Sequence, residues 1–297
     1  MSTSSKSIKE LVILSGKGGT GKTTLTAAIA QLAGNLVLAD CDVDAADLHL
    51  ITNPKRVATH PFISGKEATV ISEKCTGCAA ECRFDAFETL ENGKLRINPI
   101  RCEGCGLCVH LCPEGAIAFE PRTCGQWMLS DTRFGPMVHA RLLPAEENSG
   151  RLVTVVRKEA RQIAQQQNKN FILCDGPPGI GCPVISSVTG ADAILLVTEP
   201  SLSSMHDFTR VGKLARQFQI PAYVCINRAD MHPELALQMQ KLITQEGHTW
   251  VGNIDYDQAV VSSQLEGKTI IEYGESKIIT QIQKVWENIW QLMNNQS

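Results

Sequence analysis

Leu11-Val12-Ile13-Leu14-Ser15-Gly16-Lys17-Gly18-Gly19-Thr20-Gly21-Lys22-Thr23 is a four-residue apolar run followed by a glycine-rich loop that closes on a lysine and a threonine. The apolar run reads as a buried strand, and residues Lys22 to Ala33 have the length and pattern of a helix. Between them, Gly16 to Thr23 fits G-x-x-x-x-G-K-[ST], which binds phosphate when a strand precedes it and a helix follows. The glycines let successive backbone N–H groups turn toward phosphate oxygens, and the helix N-terminus adds partial positive charge. Lys22 is then placed to reach the β and γ phosphates and Thr23 to ligate Mg²⁺.

Further apolar runs follow at Leu36 to Ala39, Phe171 to Cys174, Ala193 to Thr198 and Ala222 to Ile226. Helical stretches lie among them at Arg151 to Gln167, Ser203 to Phe218 and Pro233 to Glu246. Strand and helix in alternation predict an α/β fold, a mostly parallel sheet flanked by helices. The alternation stops near Leu50 and resumes near Arg151, so an insertion enters just after the second strand, near the strand carboxyl ends where ligands bind such sheets. The expected boundaries are residues 1–58 for the first part of the core, 59–124 for the insertion and 125–297 for the rest.

The chain has 297 residues, enough for about two domains. With 28 basic and 31 acidic side chains it carries −3, which implies no bulk attraction to nucleic acid or anionic lipid. No run of about 18 apolar residues exists, and MSTSSKSIKE lacks a signal-peptide core, so a cytoplasmic protein without stable membrane insertion is expected. Eight of its 12 cysteines lie between Cys75 and Cys124, which in a reducing compartment argues for metal or cluster ligation. The other four, Cys41, Cys174, Cys182 and Cys225, read as small buried hydrophobes, with a cluster contact at a dimer interface as the other possibility for Cys182.

Two strand ends carry carboxylates: Asp40-Cys41-Asp42 and Asp175-Gly176-Pro177-Pro178-Gly179. Mg²⁺ prefers hard oxygen ligands, so Asp175, at the end of a hydrophobic strand, takes the metal-side role. The plainer reading of Asp40 and Asp42 is strand-end caps without chemistry. Lys17, a second lysine inside KGGTGKT, makes the loop the deviant Walker A signature, and here the chain resembles the MinD/Mrp/ParA family of P-loop ATPases. The resemblance implies a SIMIBI-type P-loop fold and an ATP-dependent homodimer in which Lys17 reaches the partner protomer's nucleotide. It also implies that Asp42 positions the attacking water, that Asp40 sits beside the metal's ligands, and that the backbone of Gly179 senses the γ phosphate. Gly18, Gly19, Thr20, Gly21, Lys22, Thr23 and Thr24 would cradle the nucleotide. Asn227-Arg228-Ala229-Asp230 resembles the base-reading loop of this superfamily, with Asn227 on the adenine and ATP favoured over GTP.

Cys102-x₂-Cys105-x₂-Cys108-x₃-Cys112-Pro113 is the bacterial ferredoxin run, in which three thiolates hold one [4Fe–4S] cluster and the fourth reaches the other. An earlier partial copy, Cys75-x₂-Cys78-x₃-Cys82, supplies Cys82 to complete Cys102, Cys105 and Cys108. Cys75, Cys78 and Cys112 make a second site that is one ligand short. It is open to a [3Fe–4S] cluster, to a [4Fe–4S] cluster completed by water, Glu81, Asp85 or Cys124, or to no cluster. Tetrahedral zinc is the other reading, and it leaves Cys108 and Cys112 superfluous. Taken together, the chain resembles MinD-superfamily ATPases that carry an inserted two-cluster, ferredoxin-like α+β domain.

Arg133 to Arg141, with His139, reads as a connector, or as a face for an anionic or redox partner. Lys277 to Met293 places Ile278, Ile279, Ile282, Val285, Trp286, Ile289, Trp290 and Met293 on one wide helical face, expected to dock on the core; a membrane-surface helix is the other reading, but the polar face carries only Lys277 and Lys284 against Glu287. The leading functional expectation is an ATP-switched homodimer that controls electron transfer, or Fe–S delivery to a redox or cluster-recipient protein. The alternative is a MinD/ParA-like scaffold or positioning switch with structural clusters. A ligase of the cobyrinic acid diamide synthase group is a third, but only about forty residues remain after Ile254 for a substrate pocket.

Overall fold

Leu11, Val12, Ile13 and Leu14 are completely buried, because the strand they form, β1 (Lys9–Ser15), pairs in parallel on both sides. The structure is a computed structural model that describes residues 8–77, 81–144, 146–274 and 276–295. After β1 come α1 (Lys22–Ala33), β2 (Leu36–Asp40), α2 (Leu48–Thr52), β3 (Lys55–Val70), β4 (Phe87–Thr89), β5 (Leu95–Ile97) and α3 (Leu107–Leu111). The chain continues through β6 (Ile117–Thr132), β7 (Gly135–Leu142), α4 (Ser149–Gln166), β8 (Phe171–Pro178), α5 (Cys182–Val188), β9 (Ala193–Thr198) and α6 (Leu202–Gln217). It ends with β10 (Ala222–Asn227), α7 (Pro233–Gln245), β11 (Thr249–Ile254), α8 (Ala259–Leu265), α9 (Ile270–Tyr273) and α10 (Ile279–Asn295). Two compact units result: Met1–His60 with Trp127–Arg141 and Ser149–Ser297, and Pro61–Gln126 with Leu142–Asn148.

In the first unit the sheet runs β11-β10-β9-β1-β8-β2-β7-β6-β3, and the seven strands from β11 to β7 are parallel. The strand order reverses around β1, which puts the loop after it and the carboxyl ends of β2 and β8 into one crevice. Asp40 and Asp175 stand directly opposite each other in the register of β2 and β8. Small side chains on α1, Ala27, Ala28 and Ala30, are fully buried and let the helix pack close to the sheet. The C-terminal helix α10 docks as its pattern implies: Trp286 and Trp290 each lie 5.5 Å from the Phe171 ring, centre to centre.

The structure corrects the reading of Arg133 to Arg141 as a connector. Arg133 and Phe134 turn β6 into β7, and β7 is an internal strand beside β2 with Met137, Val138, His139 and Ala140 buried. His139 meets Ser130 Oγ at 2.9 Å, and burial drops its pKa to about 4, so it is a neutral residue within the sheet. Glu10, buried at the start of β1, is held by Arg157 at 2.6 Å and Arg161 at 2.7 Å, the pairing a buried carboxylate requires. Where β3 and β6 leave this unit, the rings of His60 and Trp127 stack 4.1 Å apart.

The second unit has the antiparallel hairpin β4–β5, helix α3 and the distal parts of β3 and β6. Its core is thin. Ala68, Ala86 and Ile97 are buried, and Phe87, Phe119 and the thiols of Cys82, Cys102 and Cys108 pack against them.

Candidate functional site

Gly21 opens α1 with φ +88, and a Cβ there would lie 2.5 Å from Asn227 Nδ2. Only glycine takes this conformation freely, and the space saved brings Asn227 against the loop. Asn227 Nδ2 donates to Thr20 O at 2.8 Å, so the residue expected on the adenine is engaged in stitching the end of β10 to the phosphate loop. Gly19, φ +81, and Gly18 face open space.

Lys22 is buried among carboxylates. Its Nζ lies 2.9 Å from Asp175 Oδ1 and 3.6 Å from Asp42 Oδ2. Asp175 also accepts from Thr23 Oγ1 at 2.7 Å and Thr26 Oγ1 at 2.9 Å. Burial works against the charge on Lys22, but Asp175, Asp42 and Asp40 outweigh it and its pKa is raised. Asp40 is fully buried: desolvation first, then the charge of Asp175, pushes its carboxyl well above the usual range. Asp42 is also raised, chiefly by burial, with Lys22 opposing.

Asp40 Oδ1 accepts from Asp42 N at 3.3 Å, while its buried Oδ2 and the buried Thr20 Oγ1 have no hydrogen-bond partner among the described residues. A buried oxygen left unpaired in this way calls for a water or an ion. The Thr23 hydroxyl and the Asp175 carboxylate lie together, with Asp40 and Asp42 near and Lys22 among them, and these hard oxygen donors are of the kind Mg²⁺ takes.

The structure does not bring Lys17 into this group. Lys17 Nζ lies 3.6 Å from Glu199 Oε2, and Glu199 is also paired with Arg228. Glu199 follows the apolar strand β9 much as Asp40 closes β2, but no motif in the sequence marks it. Thr24 Oγ1 accepts from Gln264 Nε2 at 2.6 Å, and Gly179 N donates to Ser15 O at 3.0 Å, so neither is free for phosphate in this state. Asp175 is not the end of its strand. β8 continues to Pro178, with Gly176 accommodating β1 where a Cβ would lie 2.8 Å from Ile13 O.

In the second unit, Cys82, Cys102, Cys105 and Cys108 line one cavity of about 270 Å³ with Ala86 and Ile97. Cys75, Cys108 and Cys112 line a neighbouring cavity of about 200 Å³ together with Glu81. Among the described residues no three His, Cys, Asp or Glu side chains gather closely enough to hold a single metal ion. Thiols lining a cavity are the donor type that an iron–sulfur cluster takes. Cys78 lies outside the described residues. Cys124 is buried against Ser64 O at 3.0 Å, in a cavity it shares with Cys102 and not with Cys75 or Cys112, which corrects its candidacy for the second site. Cys41, Cys174 and Cys225 are buried, but Cys182 is exposed at the start of α5, whose buried side is Val184, Ser187 and Val188.

Residues 11–270 match the model of the CobQ/CobB/MinD/ParA nucleotide binding domain. An uncharacterised protein of Methanocaldococcus jannaschii is 32% identical over 231 residues, 76% of this chain and 80% of that one. In fold, the chain is similar to MinD of Pyrococcus horikoshii complexed with Mg-ADP, with a TM-score of 0.58 and 20% identity over 98% of this chain and 99% of that one. The Pyrococcus furiosus cell division ATPase MinD gives 0.55 and 21% over 96% and 99%. With the phosphate loop, the facing carboxylates and this match over most of its length, the chain belongs to the CobQ/CobB/MinD/ParA family of nucleotide-binding proteins.

Proposed function

We propose that the chain is a Mg-ATP-dependent switch ATPase of the MinD/ParA kind that acts as an ATP-dependent homodimer. The observation that carries this reading is Lys22 lying among Asp175, Asp42 and Asp40, with one carboxylate oxygen unpaired. Thr23 and Asp175, with Asp40 beside them, would hold Mg²⁺, which would supply the positive charge that the phosphates of ATP require. Lys22 is then released to the β and γ phosphates, and Gly179 gives up Ser15 O to face the γ phosphate. Asp42 positions the attacking water. Lys17 leaves Glu199 and completes the site of the partner protomer, so that hydrolysis is tied to assembly. Light scattering of the purified chain with ATP and with ADP tests this: a dimer formed with ATP and lost on hydrolysis supports it, and a monomer in both overturns it.

The four thiols around one cavity favour a second element of this reading. The second unit is read as a ferredoxin-like module with a [4Fe–4S] cluster on Cys82, Cys102, Cys105 and Cys108, and a second cluster on Cys75, Cys78 and Cys112. Such clusters supply one-electron transfer, or act as staples for a unit with so thin a core. An anaerobic redox titration followed by electron paramagnetic resonance, with and without a non-hydrolysable Mg-ATP analogue, separates the two roles. Nucleotide-dependent potentials support redox or cluster-delivery gating, and invariant ones support the scaffold switch.

A further inference from the structure

The cavity lined by Cys82, Cys102, Cys105 and Cys108 shares the wall Cys102, Glu103 and Gly104 with a polar cavity of about 150 Å³. Arg122 and Glu146 meet on the polar side, Nε to Oε1 at 2.8 Å and Nη2 to Oε1 at 2.6 Å, with side chains only 15% and 12% exposed. The remaining arm of the guanidinium, Nη1, donates to the carbonyl of Cys102 at 2.9 Å. On the other side of that residue, Cys102 N donates to Asn98 O at 3.1 Å. Gly104, φ +62, lies so close to strand β3 that a Cβ would stand 2.1 Å from Lys66 O. The turn Cys102-Glu103-Gly104-Cys105 is thus bedded on a neighbouring strand and tied by a fixed cation at its first thiol residue.

We infer that Arg122, locked by Glu146, positions the Cys102 arm of the four-cysteine site and sets the reduction potential of the cluster bound there. The inference rests on the cluster reading of the second unit. Each electron taken up adds a negative charge to the cluster, and in a partly buried setting a fixed cation nearby favours the reduced form while a carboxylate opposes it. Arg122 keeps its charge at any working pH. Lys66, Glu103 and Glu147 line the same cavity. Burial pushes the Cys124 thiol there up to about 11, so it is neutral and adds no charge at pH 7.

The two halves of the pair make opposite predictions. In the full chain, reconstituted anaerobically, Arg122→Gln leaves Glu146 uncompensated and lowers the midpoint potential of the four-cysteine cluster. Glu146→Gln leaves Arg122 uncompensated and raises it. Arg122→Lys, which keeps the charge, stays closer to the wild type than Arg122→Gln does. Iron, sulfide and potential are measured on all four proteins. A merely mechanical clamp gives cluster loss, or shifts of one sign, in both neutral variants. That outcome, or unmoved potentials, overturns the inference while leaving the cluster in place in the wild type. Absence of iron and sulfide from the wild type overturns the cluster reading itself.

Discussion

Lys17 Nζ lies 3.6 Å from Glu199 Oε2 of its own chain, on the base-loop side of the phosphate loop and away from Asp175. Lys17→Ala is expected to leave nucleotide binding by the isolated chain within about twofold, and to reduce hydrolysis by about 10³-fold or more, as for a cation supplied in trans. Retained turnover in a steady-state phosphate-release assay would eliminate the trans role. Since the pair is partly exposed, Glu199→Gln releases Lys17 at a gain of ~1 kcal/mol or less, so ATP-dependent dimerisation tightens no more than about fivefold.

Lys22→Ala removes the one cation facing three carboxylates. Binding of Mg-ATP, followed by calorimetry, is expected to vanish. The nucleotide-free chain should lose about 3 kcal/mol in denaturant unfolding, the range seen when a buried ion pair is broken from one side. Unchanged stability would mean that water already compensates Asp40, Asp42 and Asp175.

Gly21→Ala forces a Cβ onto a left-handed residue and against Asn227 Nδ2, 2.5 Å away. The loop and β10 must part, with about 1–2 kcal/mol lost to backbone strain. Affinity for ATP should fall by at least about tenfold; an unaltered affinity would show that the Asn227 to Thr20 bond is dispensable.

His139 is expected to contribute to loss of stability in acid. Its pKa falls from the ordinary 6.5 to about 4 in the folded chain, so the unfolded chain binds the proton more readily. Its contribution is fully present above 6.5 and is lost as pH falls through the window toward 4. The size is up to about 3 kcal/mol, from 1.36 kcal/mol per unit. Urea unfolding of His139→Gln should show a flatter profile between those limits than the wild type does; an identical slope would remove His139 as the cause.

Cys105→Ser replaces an exposed thiol and should abolish one cluster signal while leaving ATP binding intact. Loss of the nucleotide-binding unit in the same variant, seen by calorimetric unfolding, would contradict the division into two units.

What could be read from the sequence was local. Gly16 to Thr23 carries its strand, its loop and its helix in adjacent residues, and the buried parallel strands show as unbroken apolar runs. Asp40 and Asp175 were visible as acids where such runs stop. The partners of Glu10 lie about 150 residues away, at Arg157 and Arg161, and no period in the chain announces them. The same holds for Asn227 on Thr20 and Gln264 on Thr24. The strand β3 was hidden for a different reason: most of its 16 residues are exposed, so it has no apolar signature to detect. Cysteine spacing groups Cys82, Cys102, Cys105 and Cys108, which line one cavity, but it does not announce Cys108 in the cavity of Cys75 and Cys112, nor Cys124 in a cavity with Cys102, which follows from the course of β6.

The stacked rings of His60 and Trp127 give the nucleotide-binding unit a built-in suture line. The chain departs on β3 and returns on β6 at points already touching, so the first unit bears almost none of the loop-closure entropy of the 66 residues from Pro61 to Gln126. A segment that leaves and returns through residues already in contact can be lengthened or shortened without re-threading the sheet that holds the phosphate loop.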